Sequence, residues 1–443
     1  MVSDYRQCMG KSPVKGRVIL TYGRSIIALA IAHSLGKRGV EVIGGDDVEL
    51  TVLQFSKYVQ DTFLYRPWQE DPEGFIDDLI EHIKEHRPTD GVPYVLIPSF
   101  RDATTIARHR ERLEKHIIVA APSVESIDAV LSKAAFARTA ASNDLPIPQT
   151  LTAESLDDLQ TAENFPEPAI VKPPDSHGGR GIRLCQNRSE ALAYCQEIVD
   201  SGGELPVIQS VAPGEDFCFA ALCDHGEIVA HMAYRNLQQY PIEAGQGVVR
   251  KTVSDKAFLP SATKLLRVVN WHGVAQIDYR WDEQGDPVMI EVNPRFWAGL
   301  VHSMESGIDF PWLLYQISLS EPIEPSEAVI DFTTNTPGLS WLSALQESID
   351  SNETFEELGQ HWDAFKDQLE GHKWEKAWRS FANLMTTEIH TEPTMEKWRA
   401  LNELSRNAHS DLLLDEDPQA ALGMLFVVSS LVRHGELPPE FKS

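Results

Sequence analysis

The chain has 443 residues, a formal net charge of −27, and hydrophobic and aromatic fractions of 42% and 8%. Such a composition suits globular folding, and the length allows about three domains on a ~150-residue prior. The acidic surface repels nucleic-acid phosphates and anionic membranes, which sets both aside as partners.

The N-terminal MVSDYRQCMGKSPVKG lacks the apolar core of a signal peptide, and the apolar ALGMLFVVSSLV near the other end falls short of the ~20 residues needed to cross a bilayer. A cytoplasmic location is expected. Cys8, Cys185, Cys195, Cys218 and Cys223 show neither a C-x-x-C pair nor zinc spacing and read as buried, reduced thiols.

The first elements alternate. RVILTY, VEVIGG, YVLIPS and HIIVAAPS read as buried strands, SIIALAIAHSLGKRG as an amphipathic helix, and DPEGFIDDLIEHIKEHRP as another helix. Apolar strands separated by helices imply a doubly wound parallel sheet. After the first strand comes Gly23-Arg24-Ser25, with Ser25 suited to cap the helix. Arg24 and the helix N-terminus either hold a substrate carboxylate or form a plain capped turn. No G-x-G-x-x-G follows the strand, which weakens a dinucleotide reading.

From about 130 the pattern becomes mixed α+β with antiparallel pairs. LSKAAFARTAASNDLP predicts a helix, and PAIVKPPDSHGGRGIRLCQ predicts strand, glycine-rich turn and strand before the helix SEALAYCQEIVDSG. PVIQSVAPGEDFCFAALCD and GEIVAHMAYRN are strands joined at Asp-His-Gly, a hairpin signal. KAFLPSATKLLRVVNWHG is helical, and GVAQIDYRWDEQGDPVMIEVNPR is a hairpin turning at Glu-Gln-Gly-Asp. Beyond about 330 strands are expected to cease, leaving an all-α C-terminal region.

The last hairpin carries the chemistry. Strict alternation places Glu291, Asn293 and Arg295 on one side and Val288, Ile290 and Val292 on the other, and Pro294 ends the strand. Asp278 stands on the partner strand. Two carboxylates and an amide oxygen are hard ligands suited to magnesium bridged to phosphate; the rival is a salt bridge to Arg295 at a sheet rim. Lys172 ends the strand before His177-Gly178-Gly179-Arg180-Gly181. That turn is either a lid whose backbone approaches phosphates, mobile without nucleotide, or a plain turn with surface charges.

Taken together, IEVNPR, the Asp278-to-Glu291 hairpin, IVKPPDSHGGRGI and VIQSVAPGEDF resemble, in order and spacing, the ATP-grasp superfamily. The resemblance covers residues 17 to 325, and YRNLQQYPIEAGQGVVR with NPRFWAG and GIDFPWLLY look most like its carboxylate–amine ligase-like branch. It implies an N-terminal α/β domain at 17–128, an ATP-grasp domain at 129–330 with a lid at about 150–210, and a helical region at 331–443.

The resemblance further implies that Lys133 and Lys172 contact ATP phosphates under the turn from His177 through Gly178, Gly179 and Arg180 to Gly181. Gln209, Ser210, Val211 and Ala212 would offer backbone groups to adenine, although Gln209 stands where glutamate is common. Asp216 or Glu215 would bind the ribose. Asp278, Glu291 and Asn293 would hold magnesium or manganese, and Arg295, with Lys172, would act on the transferred phosphoryl group. Arg235 and Arg250 either grip the substrate or are surface arginines. The implied activity joins a carboxylate to an amine through an acylphosphate, with ATP and magnesium as cofactors and a homodimer left open as the assembly. The alternatives are a bicarbonate-activating or carbamoyl-phosphate-type enzyme of the same fold, and a non-catalytic nucleotide-binding protein.

Overall fold

A computed structural model describes residues 15–174, 181–240, 246–337, 391–412 and 417–420, with 339, 340, 343, 344 and 347. The chain divides into two compact units, the first formed by residues 1–236, 251–332 and 412–443 and the second by 237–250 and 333–411.

In the first unit, β1 (Gly16–Leu20), β2 (Val40–Asp46), β3 (Val59–Leu64), β4 (Tyr94–Ile97) and β5 (Ile118–Val119) form a parallel sheet in the order β3-β2-β1-β4-β5. The order reverses between β1 and β4, where open α/β sheets leave a crevice outside the strand carboxyl ends. Sequence reading missed β3: VQDTFL buries only Val59 and Phe63, because an edge strand with one covered side lacks the continuous apolar run of its neighbours.

Helix α1 (Ile26–Gly36) is capped by Ser25, whose hydroxyl accepts from the Ile27 N–H. It is not amphipathic. Every residue from Ile27 to Leu35 is buried, because α1 lies in one apolar cluster with its own sheet and with Leu300, Val301, Phe310 and Leu314. Those residues belong to helices near the end of the unit, introduced below. Helix α2 (Pro72–Glu85) has Asp71 as N-cap, and short helices α3 (Ala103–Arg108), α4 (Arg110–Leu113) and α5 (Val124–Asp128) follow.

Helix α6 (Lys133–Ser142), capped by Ser132, leads into a small antiparallel sheet. Its strands β6 (Thr150–Leu151), β7 (Ala169–Lys172), β8 (Arg183–Cys185) and β9 (Val207–Ser210) lie in the order β6-β9-β7-β8. Helices α7 (Leu156–Thr161) and α8 (Arg188–Asp200) cover it through Leu159, Ala191 and Cys195.

The larger antiparallel sheet orders β14 (Val288–Asn293), β13 (Gly273–Trp281), β10 (Glu215–Asp224) and β11 (Glu227–Tyr240). The β10–β11 turn uses His225 and Gly226, both at positive φ (46° and 87°), which suits a two-residue hairpin. One face of this sheet buries Phe219, Ala221, Ile277 and Met289 against α6 and α9 (Leu259–Val268) around Trp271. Helices α10 (Leu300–Glu305) and α11 (Phe310–Ser318) complete the unit.

The second unit holds the first part of β12 (Gln246–Val253), helix α12 (Thr391–Arg406), and strands β15 (Thr333–Asn335) and β16 (His409–Ser410), which pair in parallel. Strands thus continue past 330, against the expectation of helices alone. Two and three residues of polar sequence, TTN and HS, carry no apolar period and pair only because the backbone of 333–335 finds a partner. Most of the remaining C-terminal sequence, including ALGMLFVVSSLV, lies outside the described residues. Among the described residues no helix is long and apolar enough to cross a membrane. Cys185, Cys195, Cys218 and Cys223 are buried and unpaired; Cys8 lies outside the described residues.

Candidate active site

The site is built in the first unit on the sheet face that carries Cys218, Gln276, Asp278, Glu291 and Asn293. Cross-strand pairing places Asp278 opposite both Cys218 and Glu291, and Gln276 opposite Asn293. Asp278 therefore faces Glu291 directly, in the position where cross-strand side chains approach most closely.

The alternation expected of VMIEVN is broken between them. Tyr279 pairs with Met289 while Asp278 pairs with Glu291, so Ile290 is an extra residue, a β-bulge. Met289 and Val292, not Val288 and Ile290, enter the core. Bulges beside active sites re-aim side chains, and this one keeps Glu291 exposed beside a buried strand.

Asp278 is held by neutral donors alone. Its Oδ1 accepts from Gln276 Nε2 (3.0 Å) and the Cys218 thiol (3.2 Å), and its Oδ2 accepts from Asn293 Nδ2 (3.0 Å). Burial, then the facing Glu291, pushes its carboxyl well above the usual carboxylate range. Among the described residues Glu291 makes no hydrogen bond or ion pair at all. Asn293 Oδ1 accepts from Arg295 Nη2 (3.1 Å), and Arg295 Nη1 donates to the Phe296 carbonyl (3.0 Å).

Lys172 on β7 is 7% exposed, and its Nζ donates to Gln209 Oε1 at 2.6 Å, while Gln209 Nε2 donates to Thr150 Oγ1 at 2.9 Å. The Gln209 side chain is thus spent on the lysine, which it orients without neutralising. Burial pushes Lys172 down to about 8; Glu291 opposes that and the like charge of Lys133 adds to it. Lys133, first residue of α6, and Lys172 are therefore brought close enough to act on each other.

The sign of the pH effect follows. The folded chain binds this proton more weakly than the unfolded one, whose lysine titrates near ~10.4, so burial of Lys172 costs stability below about pH 8, and the cost fades as pH rises from there to about 10. Gln209→Glu supplies a facing negative charge. It is expected to move the alkaline limb of kcat/KM for ATP upward by about one pH unit or more, read from a pH–rate profile of the two proteins. An unmoved limb would mean that Lys172 does not govern it.

After Gln209, Val211 is 43% exposed, large for an apolar side chain, whereas Ala212 is buried and the Ser210 N–H donates to the Gln149 carbonyl. Asp216 accepts from Arg280 Nη1 (2.9 Å), and Glu215 pairs with Arg235. Gly181 has φ of +71°, and its carbonyl accepts from the Tyr194 hydroxyl. His177, Gly178, Gly179 and Arg180 lie outside the described residues.

Three sequence candidates do not stand as free substrate cations. Arg24 pairs with Asp46 and Asp47, and its backbone N–H also donates to Asp46. Arg235 pairs with Glu215 and Glu283. Arg250 in the second unit is 2% exposed and bound to Asp411 at 2.7 Å, a buried structural pair. An arginine in a sequence carries no mark of whether an acid will meet it. What sequence reading missed is Arg101, after β4. Glu291 acts on it electrostatically, yet among the described residues it forms no ion pair.

The likenesses agree with this geometry. A family model described as ATP-grasp in the biosynthetic pathway with Ter operon matches residues 207–336. The carbamoyl phosphate synthase large chain of Acidobacterium capsulatum is 24% identical over 230 residues, which make up 50% of this chain and 21% of that relative. The chain thus spans about a fifth of that relative's length. Biotin carboxylase from Campylobacter jejuni, solved as a β-γ-ATP complex, superposes with a TM-score of 0.59 at 16% identity, covering 73% of this chain and 77% of that one. An L-amino acid ligase from Bacillus licheniformis gives 0.53 at 19% identity, covering 70% and 75%. Identities this low establish a fold and no more, and the fold is plain: it is that of the ATP-grasp proteins, whose family model matches residues 207–336.

Proposed function

We propose that the chain is an ATP-dependent ligase that activates a carboxylate as an acylphosphate and passes the acyl group to an amine, releasing ADP and phosphate. One observation carries the reading: charges left uncompensated in two adjoining sets. Asp278 and Glu291 face each other with no base in ion-pair contact, while Lys172 and Arg295 have no acid in contact among the described residues. A buried cation without a counter-charge is costly, and a carboxyl raised by burial and a facing carboxylate is poised to give up its proton to a cation, so the two sets side by side suit a ligand carrying both signs. Magnesium with a nucleotide triphosphate is such a ligand, and the oxygen donors of Asp278, Glu291 and Asn293 fit magnesium or manganese.

In this reading Asp278, Glu291 and Asn293 would hold the metal, which would supply neutralisation of phosphate charge. Lys133 and Lys172 hold phosphate oxygens, and the HGGRG sequence suits close backbone approach to them. Backbone groups of 209–212 meet adenine, with Val211 offering apolar surface. Asp216 or Glu215 meets the ribose by exchanging its present arginine partner for a hydroxyl. A carboxylate oxygen attacks the γ-phosphorus, and the bond from that phosphorus to the β–γ bridging oxygen breaks as ADP leaves. The amine nitrogen then attacks the acyl carbon, phosphate departs with the former carboxylate oxygen, and the amine gives up a proton. The first step needs in-line positioning and charge neutralisation more than covalent help. Arg295, beside Asn293, neutralises the transferred group.

The test uses a carboxylate substrate labelled with oxygen-18, found by screening acids and amines for ADP release. One label is expected in inorganic phosphate. Label in AMP, with pyrophosphate released, would overturn the acylphosphate route.

A further inference from the structure

Arg101 stands on a loop that is fixed at both ends. The Ser99 hydroxyl donates to the Thr21 carbonyl at 2.6 Å, tying the end of β4 to the end of β1. The Asp102 carboxylate, fully buried, accepts from the Phe100 N–H at 3.2 Å, and the loop passes directly into α3. Phe100 stacks on Tyr22 with ring centroids 4.7 Å apart. These are the two loops that flank the reversal of strand order, and the Tyr22–Phe100 stack holds them together at the crevice that such a reversal leaves.

Both Arg101 and Arg295 lie over the Phe100 ring, with guanidinium carbons 5.3 and 5.0 Å from its centroid. One aromatic ring therefore joins the strand-reversal loop to the hairpin that carries Asp278 and Glu291. Arg24, on the facing loop, is already neutralised by Asp46 and Asp47. Arg101 is half-buried, and among the described residues it has no acid or carbonyl partner. Arg101 and Arg295 oppose each other's charge, and an anion seated between them would relieve that repulsion.

We propose that Arg101 anchors the reacting carboxylate of an organic acid substrate, holding it between the crevice and Arg295. The inference rests on the ligase reading above and names the substrate class of that same site. An arginine fork binds a carboxylate in a fixed plane, and its stapled loop means that little order remains to be gained on binding. Arg101 takes the role that one of the two readings of the Gly23-Arg24-Ser25 turn assigns to Arg24.

The test compares the full-length wild type with Arg101→Gln and Arg101→Lys. Each is titrated with a non-hydrolysable ATP analogue and magnesium. With the analogue bound, each is then melted against increasing acetate, succinate, L-alanine, L-glutamate and bicarbonate, with acetamide and succinamide as uncharged controls. Arg101→Gln is expected to bind the nucleotide as the wild type does. Its half-saturating carboxylate concentration should rise about 10- to 100-fold, the worth of one charge-assisted hydrogen-bonded contact, with Arg101→Lys between. Without ligand Arg101→Gln should melt at or above the wild-type temperature, because it removes an uncompensated charge.

A tenfold loss of nucleotide affinity in Arg101→Gln would assign the residue to phosphate and overturn the proposal. So would melting several degrees lower without ligand, equal carboxylate effects in all three proteins, no effect of any organic carboxylate on the wild type, or an effect of bicarbonate alone. A wild type that fails to bind the nucleotide with magnesium is a different result, and it sinks the ligase reading itself.

Discussion

Glu291→Ala is expected to abolish carboxylate-dependent ADP formation, by ~10³-fold or more, since a bound divalent ion supplies several kcal/mol of charge stabilisation in the transition state. The fold should not suffer. Glu291 is exposed and makes no hydrogen bond among the described residues, so its loss forfeits only a solvent-screened attraction to Lys172, Arg101 and Arg295 and should cost no more than about 1 kcal/mol. It also removes the charge facing Asp278, whose carboxyl should move back toward the ordinary range. ADP release and a melting curve check both halves. Turnover near the wild-type rate would refute the metal assignment, and melting far below the wild type would make Glu291 a structural residue instead.

Arg295→Met preserves length and apolar packing over Phe100 but removes the guanidinium. A loss of ~10²–10³ in kcat is expected, the usual effect of deleting one preorganised donor at developing charge. Nucleotide affinity should change far less, because Lys133 and Lys172 remain. Arg295→Lys should recover only part of the rate: it restores the charge but not the fork that reaches Asn293 Oδ1 and the Phe296 carbonyl together. Equal loss of kcat and of nucleotide affinity would instead place Arg295 in ground-state binding of ATP.

How much of this was legible in the sequence depends on how local each signal is. The Glu-Gln-Gly-Asp turn sets the register of its own hairpin, so Asp278 could be placed near Glu291 from sequence spacing alone. Lys172 was legible for the same reason, as the last residue of an apolar run before glycines. The bulge at Ile290 was not, because one inserted residue leaves the run of apolar letters intact while exchanging the faces. The uniform burial of α1 had a trace in IIALAIAHSLG, where apolar residues leave no polar stripe. The covering helices α10 and α11 come from nearly the other end of the unit. Choice among arginines was the least legible. Arg24, Arg101, Arg235 and Arg250 look alike as letters, and only the fold shows that Asp46, Glu215 and Asp411 claim three of them.

The uncompensated cations bear on how long a molecule of this protein lasts in a cell. On the proposed function, a site that carries repulsion when empty would lose it when nucleotide and magnesium arrive, and binding at a hundred times Kd adds about 2.7 kcal/mol against unfolding. Proteases act on the transiently opened chain, whose population falls by the same factor, about a hundredfold. If ATP is the ligand, molecules left empty when it runs low would open more often and be degraded first, so that the amount of the protein, as well as its rate, would follow the energy supply.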